Sequence, residues 1–383
     1  MHKDMKGRIM SLKIRVMFSF MLLLAMAMFA ACNRGGDEAT NTKELPTIKL
    51  GYIFTTNHTP LIVALSKGDE YSAGGYSFSP IVPKEVYELR KDGKPIATVE
   101  IVVAKSGSEV GTLVAQGHLD MSLGSITAII AAIDKDVPMK IVAPLVLVSG
   151  GMVVPADSPV NDWPSFVNML RKSKTPVNIG YHSPTSAPLI ITESSLLSEG
   201  VKTSRDPNDR KANAIMVDLK ETANMIPALV SHQVDAVVGP APFPENAVHS
   251  GVGKFITELR DMTPEGKWSN YPCCVVVAGT EMISKNPELV RDFVTFITAS
   301  SIWSNENGLE AGETAAAWLG MEAEVGRTLN HRFVAEFSDA WKESAAGYME
   351  VLEQGGNFSG ILKGKTFAEA EDRIIDARFL GGR

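Results

Sequence analysis

The chain has 383 residues, of which 45% are hydrophobic and 21% are charged. These values are typical of globular proteins, and the length allows about two domains. Without its first 31 residues, the chain holds 32 basic and 43 acidic residues, a net charge of −11. Such an acidic surface repels phosphate backbones, and no basic cluster with interleaved aromatic residues offsets it, which argues against nucleic-acid binding.

Residues 1–31 have the pattern of an export signal. Five basic residues precede or border an uncharged run from Val16 to Ala31, and small residues follow at its end. The run is shorter than the roughly 20 residues that a membrane-spanning helix needs. Its ending, Ala31 before Cys32, resembles a bacterial lipobox, in which the cysteine is lipidated. We therefore expect a lipoprotein signal peptide over 1–31 and a lipid anchor at Cys32.

An ordinary signal peptide and an uncleaved anchor are the alternatives to this interpretation. Residues 32–45 are polar and aperiodic, which predicts a tether. Beyond the signal, no stretch of the sequence approaches membrane-spanning length.

Two segments 115 positions apart, 110–125 and 225–240, have similar sequences. Each begins with apolar residues at helical spacing and passes through an aspartate, Asp120 or Asp235. Each then ends in a short apolar strand that stops at a glycine. One helix–strand unit used twice predicts a two-lobed α/β protein. Chance similarity of two amphipathic helices is the alternative.

The rest of the chain alternates between predicted strands and helices, which favours mostly parallel sheets with helices on both faces. The predicted strands are 48–54, 99–104, 119–124, 177–181, 214–219, the strand ending at Gly239, and 272–277, with a β-hairpin around Asp92 and Gly93. The predicted helices outside the repeat are 61–65, 126–133, 162–171, 189–197, one that begins at 240–244, 287–300, 309–319, 327–330 continuing into 333–352, and 367–377.

The apolar run 139–155 is too long for one strand and is interrupted by Gly150 and Gly151. A strand that leaves one lobe and enters another has this pattern, so we expect the first crossover there. We expect the second crossover along 272–277. The predicted first lobe is therefore 46–147 plus 278–383, and the second lobe is 148–277.

Ligands of such sheets bind at the carboxyl ends of the strands. The loops at these ends are mostly rich in hydroxyl groups, and they are 55–58, 105–108, 124–125, 182–186 and 239–243. Each loop opens a helix, where free N–H groups can bind an anion without a full cation. Serine and threonine are also ordinary helix caps, so one loop alone predicts little. Five loops at one sheet edge indicate a polar or anionic ligand between the lobes.

The seven histidines show no metal-ligand spacing. His58 and His182, if they face each other, could bind an anion, a metal or a carboxylate. Cys273 and Cys274 lie in an apolar run typical of a buried strand, where free thiols are expected; a vicinal disulfide would be strained. The sequence predicts no cofactor and no metal site. It also lacks the hydrolase, zinc-protease and P-loop motifs.

The segments 48–52, 119–124, 234–240, 271–277 and 283–290, in this order and spacing, resemble one known family. It is the solute-binding family of ABC importers of the nitrate/sulfonate/taurine type, which includes NMT1-like proteins. The resemblance covers about residues 46–305. It implies the type II periplasmic-binding-protein fold, an α/β fold with two Rossmann-like lobes joined by two crossover strands. It also implies a small-molecule ligand and partnership with ABC permease and ATPase subunits.

The resemblance places the ligand contacts in the loops described above. In the first lobe they are Thr55, Thr56, Asn57, His58, Ser106, Gly107, Ser108 and Ser125. In the second lobe they are His182, Ser183, Thr185, Ser186, Pro240, Phe243 and Asn270. Two features depart from the family pattern. Segment 71–98 resembles an insertion that could reshape the cleft mouth, and Pro240 stands where relatives often carry an aromatic or acidic ligand residue.

The resulting hypothesis is an extracytoplasmic substrate-binding lipoprotein of an ABC importer, not an enzyme. It would be anchored to the cell membrane and face the periplasm or the extracellular side; Asn33 does not decide between inner and outer membrane. A sulfonate, nitrate or bicarbonate-like solute fits the hydroxyl-rich loops. A thiamine-precursor pyrimidine, a ligand-sensing lipoprotein and a biosynthetic enzyme on the same fold are the alternatives.

Overall fold

The computed structural model describes residues 45–381, which belong to one compact unit. The predicted signal peptide, Cys32 and nearly all of the 32–45 tether lie outside the described residues. Within 45–381, no helix is both long and apolar enough to cross a bilayer.

The described chain alternates between strands and helices. The strands are β1 Thr47–Ile53, β2 Tyr76–Val82, β3 Val86–Lys91, β4 Lys94–Ala104, β5 Met121–Ser125, β6 Met139–Leu147, β7 Gly151–Pro155, β8 Val177–Tyr181, β9 Thr203–Ser204, β10 Ala214–Asp218, β11 Ala236–Gly239, β12 Gly253–Glu258 and β13 Pro272–Gly279. The helices are α1 Thr59–Lys67, α2 Gly107–Ala115, α3 Ile126–Asp134, α4 Trp163–Lys172, α5 Ala187–Ser198, α6 Met225–Val230, α7 Phe243–His249, α8 Thr280–Lys285, α9 Pro287–Glu306, α10 Gly308–Leu319, α11 Ala323–Thr328, α12 Asp339–Gln354 and α13 Phe367–Ile374.

Two sheets organise these elements. The first has seven strands in the order β2-β3-β4-β1-β5-β13-β6, and the second has six in the order β12-β7-β11-β8-β10-β9. Strands β11 and β13 are apolar runs that are buried along their whole length, one in each sheet. We call β1–β6 and β13 with α1–α3 the first half, and β7–β12 with α4–α7 the second half.

Both sheets are mixed, whereas the sequence predicted mostly parallel strands. β1 pairs in parallel with β4 and β5, and β8 pairs in parallel with β10 and β11. The hairpin strands and the strands that connect the halves run antiparallel to their neighbours. A strand that returns through a tight turn or from the other sheet enters from the opposite end, which reverses its direction.

The chain first passes between the sheets after β6. Gly150, between β6 and β7, has a φ of 90°, which favours glycine. A Cβ atom there would lie 2.3 Å from the Gly239 carbonyl oxygen and 2.6 Å from Pro240. The glycine that interrupts the apolar run therefore allows the connection to pass closely over the end of β11.

The return passage lies earlier than the sequence suggested. We expected the second crossover along 272–277, within the second lobe, but β13 pairs with β5 and β6 of the first sheet. The chain therefore passes back before Pro272. The apolar pattern identified a buried strand but carried no information about which sheet buries it. Strand β12, which precedes this passage, was not predicted.

Segment 71–98 extends the edge of the first sheet. Strands β2 and β3 pair antiparallel, and β3 pairs with β4 through the predicted hairpin, where Asp92 and Gly93 have φ angles of 49° and 76°. The residues predicted as a separate strand over 99–104 continue β4 without a break. Phe78 packs against Phe296 of α9, with ring centroids 5.1 Å apart. This packing buries the edge strands against the C-terminal helices.

The two repeat segments form equivalent structures. The Asp120 carboxylate accepts the Lys49 N–H at 2.7 Å, and the Asp120 N–H donates to the Lys49 carbonyl at 2.9 Å. Asp235 makes the same pair of bonds to Asn178, both at 2.8 Å. In each half, the aspartate thus fixes the start of one strand beside its neighbour. This shared role explains the repeated aspartate.

The C-terminal region is helical, as predicted, with different boundaries. Helix α9 reaches Glu306, and the predicted continuous helix from 327 to 352 is instead α11 and α12, separated by 329–338. Ser338 caps α12 by accepting the Trp341 N–H. Helix α10 packs against α1 and α11, which connects the C-terminal region with the first half.

Candidate functional site

A small, partly enclosed cavity, which we call the central cavity, lies between the two halves at the ends of β1, β5, β8 and β11. Its volume is about 40 Å³, enough for on the order of three water molecules. Nine of the fifteen predicted ligand residues line it: Thr55, Asn57, Ser106, Gly107, Ser125, His182, Ser183, Ser186 and Pro240. The five predicted loops thus all reach one cavity.

Three helices begin at this cavity. Helices α2, α3 and α5 start directly after Ser106, Ser125 and Ser186. Within the described chain, none of these serine hydroxyls makes the usual capping bond to its own helix. The first-turn N–H groups of the three helices therefore add partial positive charge to the cavity wall.

Direct hydrogen bonds hold the two halves together around the cavity. The Ser108 hydroxyl lies 3.0 Å from the Ser183 hydroxyl and 2.9 Å from the Thr185 hydroxyl. Thr127 donates to the Thr185 carbonyl at 2.5 Å, and Thr55 donates to the Ala241 carbonyl at 2.7 Å. The structure therefore shows a closed cleft, in which a solute larger than a few atoms cannot enter without separation of the halves.

The lining of the central cavity is electrically neutral. No Lys, Arg, Asp or Glu side chain is among the described residues that line it. Burial lowers the pKa of His182 to about 4, against a smaller opposing effect of Asp218, so its imidazole is neutral at pH 7. Its Nδ1 is buried and has no hydrogen-bond partner within 45–381. Hydroxyl groups, helix N-termini and a neutral imidazole are thus the polar groups offered to a solute.

Two predicted ligand residues lie behind the cavity wall. His58 is fully buried, and its Nδ1 accepts the Ile53 N–H at 3.1 Å. Burial lowers the pKa of His58 to about 3, so this ring is neutral. The Thr56 hydroxyl lies 2.9 Å from His331 Nε2, and neither residue lines the central cavity. His58 and His182 therefore do not form a pair across the cleft.

The other four predicted residues lie around the cavity or away from it. Ser108 and Thr185 form the closing contacts described above. Phe243 lines an adjoining recess, and Asn270 is exposed in the segment before β13. The predicted loops are the ones that line the central cavity, but which side chain of a loop faces inward depends on local turns that a residue pattern does not specify.

Sequence reasoning missed several lining residues: Ile53, Ala128, Pro188, Thr222, Cys273 and Cys274. Thr222 had a usable signal, because it stands 115 positions after Gly107, just before the two repeat segments. The cysteines are buried free thiols, as expected from the apolar strand. A register shift in β13 at Cys274 lets both sulfur atoms approach within 3.8 Å of each other beside the cavity.

An apolar recess of about 310 Å³, which we call the outer recess, adjoins the central cavity. The two spaces share Thr55, Thr222 and Pro240 as wall residues. Aromatic and aliphatic side chains form most of the recess: Phe54, Ile226, Phe243, Leu319 and Met321. Phe54 is 46% exposed, which is unusual for a large aromatic side chain. No group of three or more potential metal ligands occurs within the described residues.

The model of the NMT1-like family matches residues 41–320, which is most of the chain. The chain belongs to the NMT1-like family. An uncharacterized relative in Methanocaldococcus jannaschii shares 32% identity over 124 residues, which cover 32% of this chain and 82% of that protein.

Solved structures confirm the fold of this NMT1-like protein. The ligand-binding component of an ABC-type import system from Staphylococcus aureus, solved with zinc bound, superposes with a TM-score of 0.66 at 15% identity, covering 88% of this chain and 98% of that one. The nitrate-binding protein NrtA of Synechocystis superposes with a TM-score of 0.63 at 16% identity, covering 88% of this chain and 87% of that one. The alkanesulfonate-binding protein SsuA of Xanthomonas axonopodis, bound to MOPS, superposes with a TM-score of 0.61 at 11% identity, covering 83% of this chain and 96% of that one. The protein thus has the periplasmic-binding-protein fold found in solute-binding proteins of ABC importers.

Proposed function

We propose that this protein is the extracytoplasmic substrate-binding lipoprotein of an ABC importer and binds a small polar or anionic solute in the central cavity. The observation that supports it most is the convergence of three helix N-termini and several hydroxyl groups on one partly enclosed space between two halves. Such a space suits a clamp that closes around a solute. No catalytic role is part of this proposal.

The outer recess favours an organic solute over an inorganic one. A sulfonate group would occupy the central cavity, and its carbon substituent would extend towards Phe54 and Phe243. Nitrate and bicarbonate would leave the recess unused, although burial of apolar surface stabilises binding by about 25 cal/mol per Å². Among the anionic solutes, we therefore propose a sulfonate.

The neutral lining supports a second candidate, a thiamine-precursor pyrimidine. An anion in this cavity would be held without any Lys or Arg side chain from the residues that line it. A neutral heterocycle would avoid the cost of removing a charged group from water. His182 Nδ1 and the serine hydroxyls could then bond the ring nitrogen atoms and amino group.

Thermal melting against a solute panel tests the proposal. The purified protein is first unfolded and refolded to remove carried-over solute, then melted with taurine, methanesulfonate, nitrate, bicarbonate and the pyrimidine. A solute at 100 times its Kd adds about 2.7 kcal/mol, or a few degrees in Tm. The absence of any shift would contradict binding of these solutes and favour a sensor or an enzyme.

The variant Ser106→Asp distinguishes the two solute classes. Aspartate is an acceptable helix cap, but its charge at the cavity wall repels an anion. We expect at least a tenfold loss of sulfonate affinity and a smaller change for the pyrimidine. Ser106→Asn is the matched neutral control and should leave sulfonate binding within about threefold. Equal losses for both variants would contradict an anionic solute.

The proposed lipid anchor has its own test. Cys32→Ser removes the thiol that would carry the lipid, so the variant should appear in the extracellular or periplasmic fraction instead of the membrane fraction. Labelling with radioactive palmitate should mark the wild-type protein and not the variant. Membrane retention of the variant would indicate an uncleaved anchor. Release of both proteins would indicate an ordinary signal peptide.

A further inference from the structure

A second cavity of about 360 Å³, which we call the rear cavity, shares no lining residue with the central cavity. It lies between α7 and β12 of the second half on one side and α11 with residues 330–331 on the other. Ser149 and Gly150, at the connection between the halves, form part of its wall. Its volume falls within the range of small-molecule sites, about 300–1,000 Å³.

The charged groups of the rear cavity leave one carboxylate uncompensated. Glu245 on α7 faces Glu258 and Arg260, which contact each other as an ion pair. Arg260 also donates through Nη2 to the Asn330 carbonyl at 3.2 Å, so its charge is directed to Glu258 and Asn330, while its Nε makes no well-aligned hydrogen bond within residues 45–381. In contrast, Glu245 Oε2 is buried and has no hydrogen-bond partner within residues 45–381.

The remaining titratable groups around Glu245 add little positive charge. Glu324 on α11 adds a further carboxylate, which pairs with Arg327 at 3.4 Å, and His249 lies one turn along α7. Burial, reinforced by Arg260, lowers the pKa of His331 to about 4, so its ring is neutral at pH 7. A carboxylate or phosphate ligand would therefore meet acidic groups without a free cation, whereas an ammonium group would complement Glu245.

The other walls are apolar. Val248, Phe255 and Val325 line the cavity beside these polar groups. An aliphatic or aromatic substituent would be removed from water there, and an aromatic face also attracts a nearby cation. We propose that the rear cavity binds a small organic primary amine, whose ammonium group contacts the Glu245 carboxylate and whose carbon substituent packs on the apolar wall.

The ionisation of Glu245 gives the site a specific pH dependence. Burial, with a smaller contribution from Glu258, raises the pKa of Glu245 to about 7. A bound ammonium group favours the ionised carboxylate, so binding below pH 7 must release a proton from Glu245. The fraction of ionised Glu245 in the free protein falls about tenfold between pH 8 and pH 6, and amine affinity should fall by the same factor.

Isothermal titration calorimetry of the purified full chain with 2-phenylethylamine tests this proposal. 2-Phenylethanol is the matched probe without the ammonium group and should bind at least tenfold more weakly. Titrations at pH 6 in two buffers of different ionisation enthalpy should show nearly one proton released per amine bound. Equal affinity for amine and alcohol, or binding without proton release, would overturn the proposal.

Variants locate the amine. Glu245→Gln should lower amine affinity at least tenfold, while Glu322→Gln, an exposed glutamate before α11, should leave it unchanged. Thr328→Trp fills the cavity from α11 without removing the carboxylate and should also abolish binding, which keeps the test decisive if Glu245→Gln folds poorly. Unchanged affinity in both Glu245→Gln and Thr328→Trp would refute a rear amine site.

Discussion

At the scale of single residues, three histidines lie at or near the central and rear cavities. His58 accepts a backbone N–H, His331 contacts Thr56, and His182 lines the central cavity. Burial lowers the pKa of all three below its ordinary value near 6.5. Each must therefore remain uncharged in the folded protein, although each binds a proton when the chain unfolds below pH 6.5.

This linkage predicts acid sensitivity with a definite sign. In the unfolded chain His58 has a pKa near 6.5, whereas in the folded protein it is about 3. Between these values the unfolded state binds the extra proton, so the free energy of unfolding falls as pH falls through this window. For His58 alone, the loss between pH 7 and pH 5 is about 2 kcal/mol.

The variant His58→Asn isolates that contribution. An asparagine side-chain oxygen can still accept the Ile53 N–H, but it does not titrate. Urea unfolding at pH 7 and pH 5 should show that the wild-type protein loses about 2 kcal/mol more than the variant. The same substitution at the exposed His232 should leave the wild-type pH dependence in place. An unchanged pH dependence in His58→Asn would contradict the buried neutral state.

At the scale of elements, the two repeat segments show which part of the fold the sequence could predict. The helical spacing of apolar residues and the final glycine in 110–125 and 225–240 identified a helix–strand unit in each half. In the structure, Asp120 and Asp235 make the same strand-pairing bonds. The same offset relates Gly107 to Thr222, three residues before the two segments, so extending the comparison upstream would have pointed to one more lining residue. Local patterns succeed here because each unit is built from neighbouring residues.

Long-range pairing explains what the sequence did not predict. Strand β12 has only a short apolar centre, and its edge position lets polar residues such as Lys254 and Glu258 remain accessible. Strand β13 was recognised as buried, but its partners β5 and β6 lie over 100 residues earlier in the chain. Likewise, Thr55 and Asn57 line the central cavity whereas Thr56 and His58 do not, and this depends on the local 3₁₀ turn over 56–58.

At the scale of the whole molecule, hydrogen bonds from hydroxyl groups are among the contacts that hold the two halves closed around the central cavity. The Ser108 and Thr127 hydroxyls of the first half bond to Ser183 and Thr185 of the second half. A clamp that must release its solute needs a closed state only slightly more stable than the open one. Each hydrogen bond contributes only about 1 kcal/mol, so a few of them can set this difference.

Removal of these hydroxyls should therefore open the protein. Ser108→Ala combined with Thr127→Val should cost the closed state about 2 kcal/mol, roughly a thirtyfold change in the ratio of closed to open molecules. Small-angle X-ray scattering of the solute-free variant should give a larger radius of gyration than that of the wild-type protein. Solute affinity should fall by up to the same factor, because the solute must now drive closure against a larger cost.

The matched control is Ser198→Ala, which removes a hydroxyl bonded to the Ser195 carbonyl within α5 alone. It should leave both scattering and solute affinity unchanged. If the double variant scatters like the wild-type protein while its solute affinity also stays constant, these hydroxyls do not control closure. Closure would then depend on the Thr55–Ala241 contact and on the packing of Gly150 against Pro240, where the chain passes between the halves.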